Sequence, residues 1–106
     1  MAKALIRVPA EAKQGETIEI KTLISHPMEP GVRRDNMGQI IPRHILNRFV
    51  CRYNGEEVFR ADLFPGIAAN PFLSFFTVAT DSGELEFQWT DDDGTTQTET
   101  AKITVA

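Results

Sequence analysis

Apolar and polar residues alternate with a period of two along most of this chain, and that period predicts strands. Between Thr17 and Ser25 the alternation is clean, with Ile18, Ile20, Thr22 and Ile24 on one face and Glu19, Lys21, Leu23 and Ser25 on the other. Leu85, Phe87 and Trp89 share a face in Glu84–Thr90, as do Ala101, Ile103 and Val105 in the last run. Ala4–Val8 is a short apolar run closed by Pro9. Ile45–Tyr53 and Glu56–Asp62 flank Asn54-Gly55, the dipeptide that suits a type I′ hairpin because both central residues take positive φ. A two-residue turn places Tyr53 opposite Glu56, Arg52 opposite Glu57, Cys51 opposite Val58 and Val50 opposite Phe59. Arg52 facing Glu57 predicts a cross-strand ion pair worth roughly 0.2–1 kcal/mol. Phe72–Ala79 completes the set, punctuated by Pro65-Gly66, Asn70-Pro71, Asp81-Ser82-Gly83 and Asp91-Asp92-Asp93-Gly94. The pattern predicts an all-β protein: an immunoglobulin-like antiparallel β-sandwich of about seven strands, with residues 1–106 as one domain.

Two stretches break this regularity. His26 to Pro42 carries three prolines and two glycines and cannot continue a helix or a ladder strand. Seventeen irregular residues in so short a chain mark a functional loop or a disordered one. The second departure is apolar residues on both faces of one strand. A half-solvated strand is apolar on one side only, yet Phe72-Leu73-Ser74-Phe75-Phe76-Thr77-Val78 is apolar on both, and the hairpin adds Val50 and Phe59 on the face opposite Phe49, Cys51 and Val58. Phe72, Phe75, Phe76, Val50 and Phe59 are therefore candidate residues for a protein interface. A loop folded back over the sheet is the alternative cover.

The net charge of −4 argues against nucleic acid as a partner. Charge is unevenly placed: residues 33–60 hold six arginines against three acids, and residues 61–106 one lysine against eight acids. Arg33, Arg34 and Arg43 become candidates for an anion-facing loop. No run of about 18 apolar residues predicts a membrane span. Met1 to Arg7 lacks the apolar core of a signal peptide, which taken alone suggests a cytoplasmic home.

Catalytic chemistry is weakly supported. Cys51 is the one cysteine, and its place in the alternation Phe49, Cys51, Tyr53 reads as a small buried hydrophobe rather than a nucleophile paired with His26 or His44. His26, Met28, Met37, His44 and Cys51 form a soft-ligand set suited to copper, although no histidine or methionine closely follows Cys51 as a blue-copper loop would require. Asp91-Asp92-Asp93-Gly94 opens like a calcium loop but lacks the glutamate at the twelfth position, and reads as a solvated hairpin turn.

Short motifs along the whole chain resemble the SoxZ family of bacterial sulfur oxidation. They are Ser25-His26-Pro27-Met28-Glu29, then Gly31, Arg33, Asp35 and Ile41-Pro42, then Tyr53-Asn54-Gly55, Val58-Phe59, Ala61-Asp62, Ala68-Ala69-Asn70-Pro71, Ser74-Phe75, and Phe87, Trp89 and Asp91. The resemblance implies an immunoglobulin-like, noncatalytic subunit without a cofactor, in a tight heterodimer with SoxY. It implies that SoxY carries the sulfur intermediates of thiosulfate oxidation on a cysteine near its C-terminus, and that the pair meets other sulfur-oxidation enzymes transiently. It also implies a periplasmic location by co-export with a signal-bearing partner. Read from the residues, an uncovered Phe72 to Phe76 strand would encourage self-association when that partner is missing. The alternative expectation is a periplasmic copper-binding β-sandwich using His26, Met28 and His44.

Overall fold

The structure, a computed structural model, describes residues 3–106. Among them lie eight strands and no helix: β1 (Ala4–Arg7), β2 (Glu11–Ala12), β3 (Thr17–Ile24), β4 (Leu46–Tyr53), β5 (Glu56–Asp62), β6 (Phe72–Val78), β7 (Gly83–Asp91) and β8 (Thr96–Val105). A three-stranded sheet in the order β1-β3-β6 packs on a five-stranded sheet in the order β2-β8-β7-β4-β5. The seven strands expected from the alternation are all present, with ends shifted by a residue or two. The eighth, β2, is too short to show a period, and it pairs in parallel with β8, so the sandwich is not wholly antiparallel. Pro9 ends the first strand, and the chain then crosses to the other sheet. There the Thr104 N–H donates to the Ala10 carbonyl (3.0 Å), the Ala106 N–H to the Ala12 carbonyl (3.1 Å), and the Gln14 N–H to the Ala106 carbonyl (3.0 Å).

Period-two faces from both sheets meet in the core. Ile18, Ile20, Thr22 and Ile24 of β3 are buried, as are Leu85, Phe87 and Trp89 of β7. The Thr22 hydroxyl reaches the Leu73 carbonyl at 3.3 Å, so its burial leaves no polar atom stranded. Phe49 stands at the centre, with ring centroids 5.1 Å from Trp89, 6.0 Å from Phe75 and 6.3 Å from Phe87. Cys51 is fully buried beside it, and desolvation pushes its thiol up to about 12. A thiol held protonated at neutral pH is no nucleophile, as its place in the alternation predicts.

The hairpin corrects the expected register. Asn54 and Gly55 both take positive φ, and Tyr53↔Glu56 and Arg52↔Glu57 pair as a two-residue turn demands. A bulge then makes Val58 the extra residue, so Cys51 pairs with Phe59 and Val50 with Arg60. The slip moves Phe59 onto the inner face. Arg52 also turns away from Glu57: its guanidinium donates to Glu86 (3.1 Å) and Gln88 (3.3 Å) on β7, while Glu57 takes Arg60 (2.9 Å).

The long loop is a ribbon folded on itself rather than a lid over the sheet. Glu29 and His44 exchange both backbone hydrogen bonds at 2.9 Å, and Arg34 bridges Ile40. Its tip is closed by the Asp35 carboxylate, which accepts from the Met37 and Gln39 N–H groups (2.8 and 3.0 Å). Gly31 is obligatory there: its φ is +81°, and an added Cβ would lie 2.8 Å from the Arg43 Cβ.

Candidate functional site

The outer face of the three-stranded sheet is where the sequence leaves apolar side chains without cover. Register aligns Leu5 with Leu23 and Leu23 with Phe72, making one apolar row across all three strands. Phe76 and Val78 continue it along β6, which is an edge strand. Leu5 and Phe72 are each 58 % exposed, Phe76 is 64 % exposed, and Leu23 and Val78 are partly exposed. Charge enters this face through Arg7, Glu19 and Lys21, which sit on the same side of β1 and β3 as the row.

Of the five residues expected at an interface, two stand on this surface. Phe72 and Phe76 point outward. Phe75 is only 5 % exposed because it follows the opposite phase of β6. Phe59, brought inward by the bulge, stacks on it with centroids 4.2 Å apart and planes 5° from parallel. Val50 is 3 % exposed although it lies on the outer side of the other sheet. There it sits between Arg60 and Gln88 on the neighbouring strands, whose long stems cover it. Leu5, Leu23 and Val78 give no such signal in the sequence, because each reads singly as an ordinary strand residue and only the cross-strand register joins them.

The three loop arginines do not form a free cationic patch. Arg33 is bound to the Glu29 carboxylate, and Arg34 donates to the Gly38 carbonyl at 2.7 Å. Arg43 makes a bidentate pair with Asp92 at 2.9 and 3.1 Å. Asp92 also accepts from the Ile45 N–H and the Asn47 side chain, both at 3.1 Å. These donors, Arg43 first, hold its carboxyl well below the usual carboxylate range. Asp92 thus ties the loop end to the β7–β8 turn, a role the acidic run gave no sign of. Arg34 is the one of the three without a carboxylate partner.

Nor are the copper candidates assembled. Met28 is buried, and its thioether accepts the Leu46 N–H at 3.3 Å. Met37 is exposed at the ribbon tip and Cys51 lies in the core. Only His26 and His44 come together, with ring centroids 5.1 Å apart.

The family model described as sulphur oxidation protein SoxZ matches residues 6–102. No sequence among the curated proteins matches the chain. Among solved structures, a superoxide reductase (neelaredoxin) from Ignicoccus hospitalis is similar with a TM-score of 0.76 at 17 % identity, over 97 % of this chain and 79 % of that one. The sulfur carrier protein SoxY from Chlorobium limicola f thiosulfatophilum gives 0.68 at 13 % identity, over 97 % and 78 %. A superoxide reductase described as putative, from Thermotoga maritima, gives 0.66 at 15 % identity, over 97 % and 85 %. Identities this low show a shared fold, the immunoglobulin-like sandwich, and leave function to the family match and the surface.

Proposed function

The chain belongs to the SoxZ family of sulphur oxidation proteins, and from that premise we propose that it is the noncatalytic half of a sulfur carrier. Its partner is a SoxY chain, whose cysteine carries the sulfur intermediates of thiosulfate oxidation. The observation that carries this reading is the apolar row Leu5–Leu23–Phe72 with Phe76 and Val78 beside it, left open by a sandwich whose own core is already filled. Burying what remains exposed of each large side chain contributes about 1–2 kcal/mol, which suits a lasting pair better than a passing contact. The buried Cys51 thiol supports a chain that carries no sulfur of its own. We place the pair in the periplasm, which fractionation of cells expressing both chains checks.

Co-expression with SoxY, capture on the SoxY chain and measurement of complex mass test the proposal. The expected result is a one-to-one complex. Phe72→Asp combined with Phe76→Asp leaves the core untouched and abolishes capture. A wild-type chain that never pairs would overturn the carrier reading. A double variant that pairs normally would overturn only the choice of face.

A further inference from the structure

A cleft of about 510 Å³ opens between the start of the loop ribbon and the β7–β8 turn, floored by Ile24, Leu46 and Trp89. Three polar side chains converge in it. His26, His44 and Asp91 each offer one ligand atom, and these atoms lie within 4.8 Å of one another. Nε2 of His26 and Nε2 of His44 are both buried and find no hydrogen-bond partner among the described residues. His26 as a whole is only 8 % exposed. Nε2 of His44 lies 3.4 Å from Asp91 Oδ2 and 3.2 Å from Asp93 Oδ2, at angles that form no hydrogen bond. Buried ring nitrogens without a hydrogen-bond partner are costly unless something else engages them.

Each group is also held from behind. The His26 backbone is tied in both directions to Asn70, its N–H to the side chain (3.0 Å) and its carbonyl to the N–H (2.8 Å). His44 is fixed by its backbone pairing with Glu29. Asp91 spends Oδ1 on the Asp93 and Thr95 N–H groups (2.9 and 3.0 Å), which leaves Oδ2 for the cleft. Supports of this kind orient ligands before an ion arrives.

We propose that this cleft binds one divalent transition-metal ion of the zinc class through His26 Nε2, His44 Nε2 and Asp91 Oδ2. Two imidazoles and a carboxylate suit Zn²⁺, Fe²⁺, Mn²⁺ or Co²⁺, and the set contains no sulfur to favour Cu⁺. Ligand bonds of about 2.0–2.2 Å put tetrahedral ligand atoms roughly 3.4 Å apart, so the widest separation closes by at most about 1.4 Å, within reach of side-chain rotation. Three protein ligands leave a position open to the cleft. Binding has one internal cost. The Met28 N–H donates to His26 Nδ1 at 2.9 Å, so the neutral ion-free ring carries its proton on Nε2. Coordination moves that proton to Nδ1, which then faces the Met28 N–H donor to donor, so the Met28 bond is lost and one of the two groups has to shift. The proposal does not depend on the partner reading.

The untagged full chain, stripped with chelator and titrated with Co²⁺ and with Zn²⁺, tests it by calorimetry and visible absorption. One ion per chain is expected, with a cobalt ligand-field spectrum and a His26 tautomer shift from Nε2–H to Nδ1–H in long-range ¹H–¹⁵N NMR. His26→Ala, His44→Ala and Asp91→Asn each weaken binding roughly 10–100-fold. Met28→Leu leaves affinity within a few-fold, because its sulfur faces the core. Ion-free melting curves of His44→Ala and Asp91→Asn near wild type show that lost binding is not lost folding. Absence of saturable binding below about 1 mM ion would overturn the site, as would wild-type affinity in the His44→Ala and Asp91→Asn variants.

Discussion

The two outer faces of this sandwich are built on the same strand pattern and end in opposite chemistry. On the five-stranded sheet, Arg48, Arg52, Arg60, Glu57, Glu86 and Gln88 interlock, with Arg48–Asp62 at 3.8 Å, Arg52–Glu86 at 3.1 Å and Arg60–Glu57 at 2.9 Å. The one apolar residue among them, Val50, is covered by its neighbours. On the three-stranded sheet the polar side chains are Arg7, Glu19, Lys21 and Ser74, with Lys21 and Glu19 3.8 Å apart, and beside them stand Leu5, Leu23, Phe72, Phe76 and Val78. A water-facing surface is finished on one side and unfinished on the other. On the pairing proposed above, this difference is what selects the sheet that the second polypeptide would complete.

The strongest way to break the comparison uses two consecutive residues. Phe75 and Phe76 have the same side chain and opposite faces, so Phe75→Ala should lower unfolding stability by about 3–5 kcal/mol, while Phe76→Ala costs well under half of that. Urea unfolding of the two variants checks it, and equal losses would mean that the faces are not distinct. Next in size, Leu23→Asp at the middle of the apolar row should cost about 2–3 kcal/mol of pairing with SoxY, read as a 30–150-fold higher Kd. Its effect on the isolated chain should stay near 1 kcal/mol or below.

Charges held by several donors should matter more than charges paired on the surface. Asp92→Asn should cost about 1–2 kcal/mol at pH 7. The sign with pH follows from the carboxyl being held below its ordinary value of 3.8 in the folded chain. The contribution is complete above roughly pH 5 and is lost as pH falls through the unfolded value toward the folded one. Stability curves of wild type and Asp92→Asn should therefore converge on acidification. Smallest of all, Arg52→Ala on the polar face should cost less than about 1 kcal/mol, shrink further in 1 M salt and leave SoxY pairing unchanged. A large loss of pairing there would transfer the interface to the other sheet.

Much of the fold was legible in the sequence because period two is a local property. The β3 and β7 faces, the Asn54-Gly55 turn and the burial of Cys51 follow from neighbours within a few residues. The bulge at Val58 was not legible, since nothing in Glu56–Asp62 distinguishes an extra residue from a regular one, and it alone reversed the reading of Phe59. Phe72 and Phe76 could be read as surplus apolar residues. Leu5 and Leu23 could not, because their significance lies in a register between strands some eighteen residues apart. His26 and His44 could be named as candidate ligands, but Asp91 lies far beyond His44 in the chain and, in an acidic turn, looks like any solvated carboxylate. Arg33 and Arg43 failed as free cations for the same reason: their acids, Glu29 and Asp92, are assigned only by the folded ribbon.

The parallel seam between β2 and β8 has a mechanical consequence. Tension applied between the chain before Glu11 and the chain after Val105 runs along these strands rather than across them. Their backbone bonds, from Thr104 to Ala10, Ala106 to Ala12 and Gln14 to Ala106, must then yield together instead of unzipping one by one. Two residues of strand thus make a shear clamp between these two points of the chain.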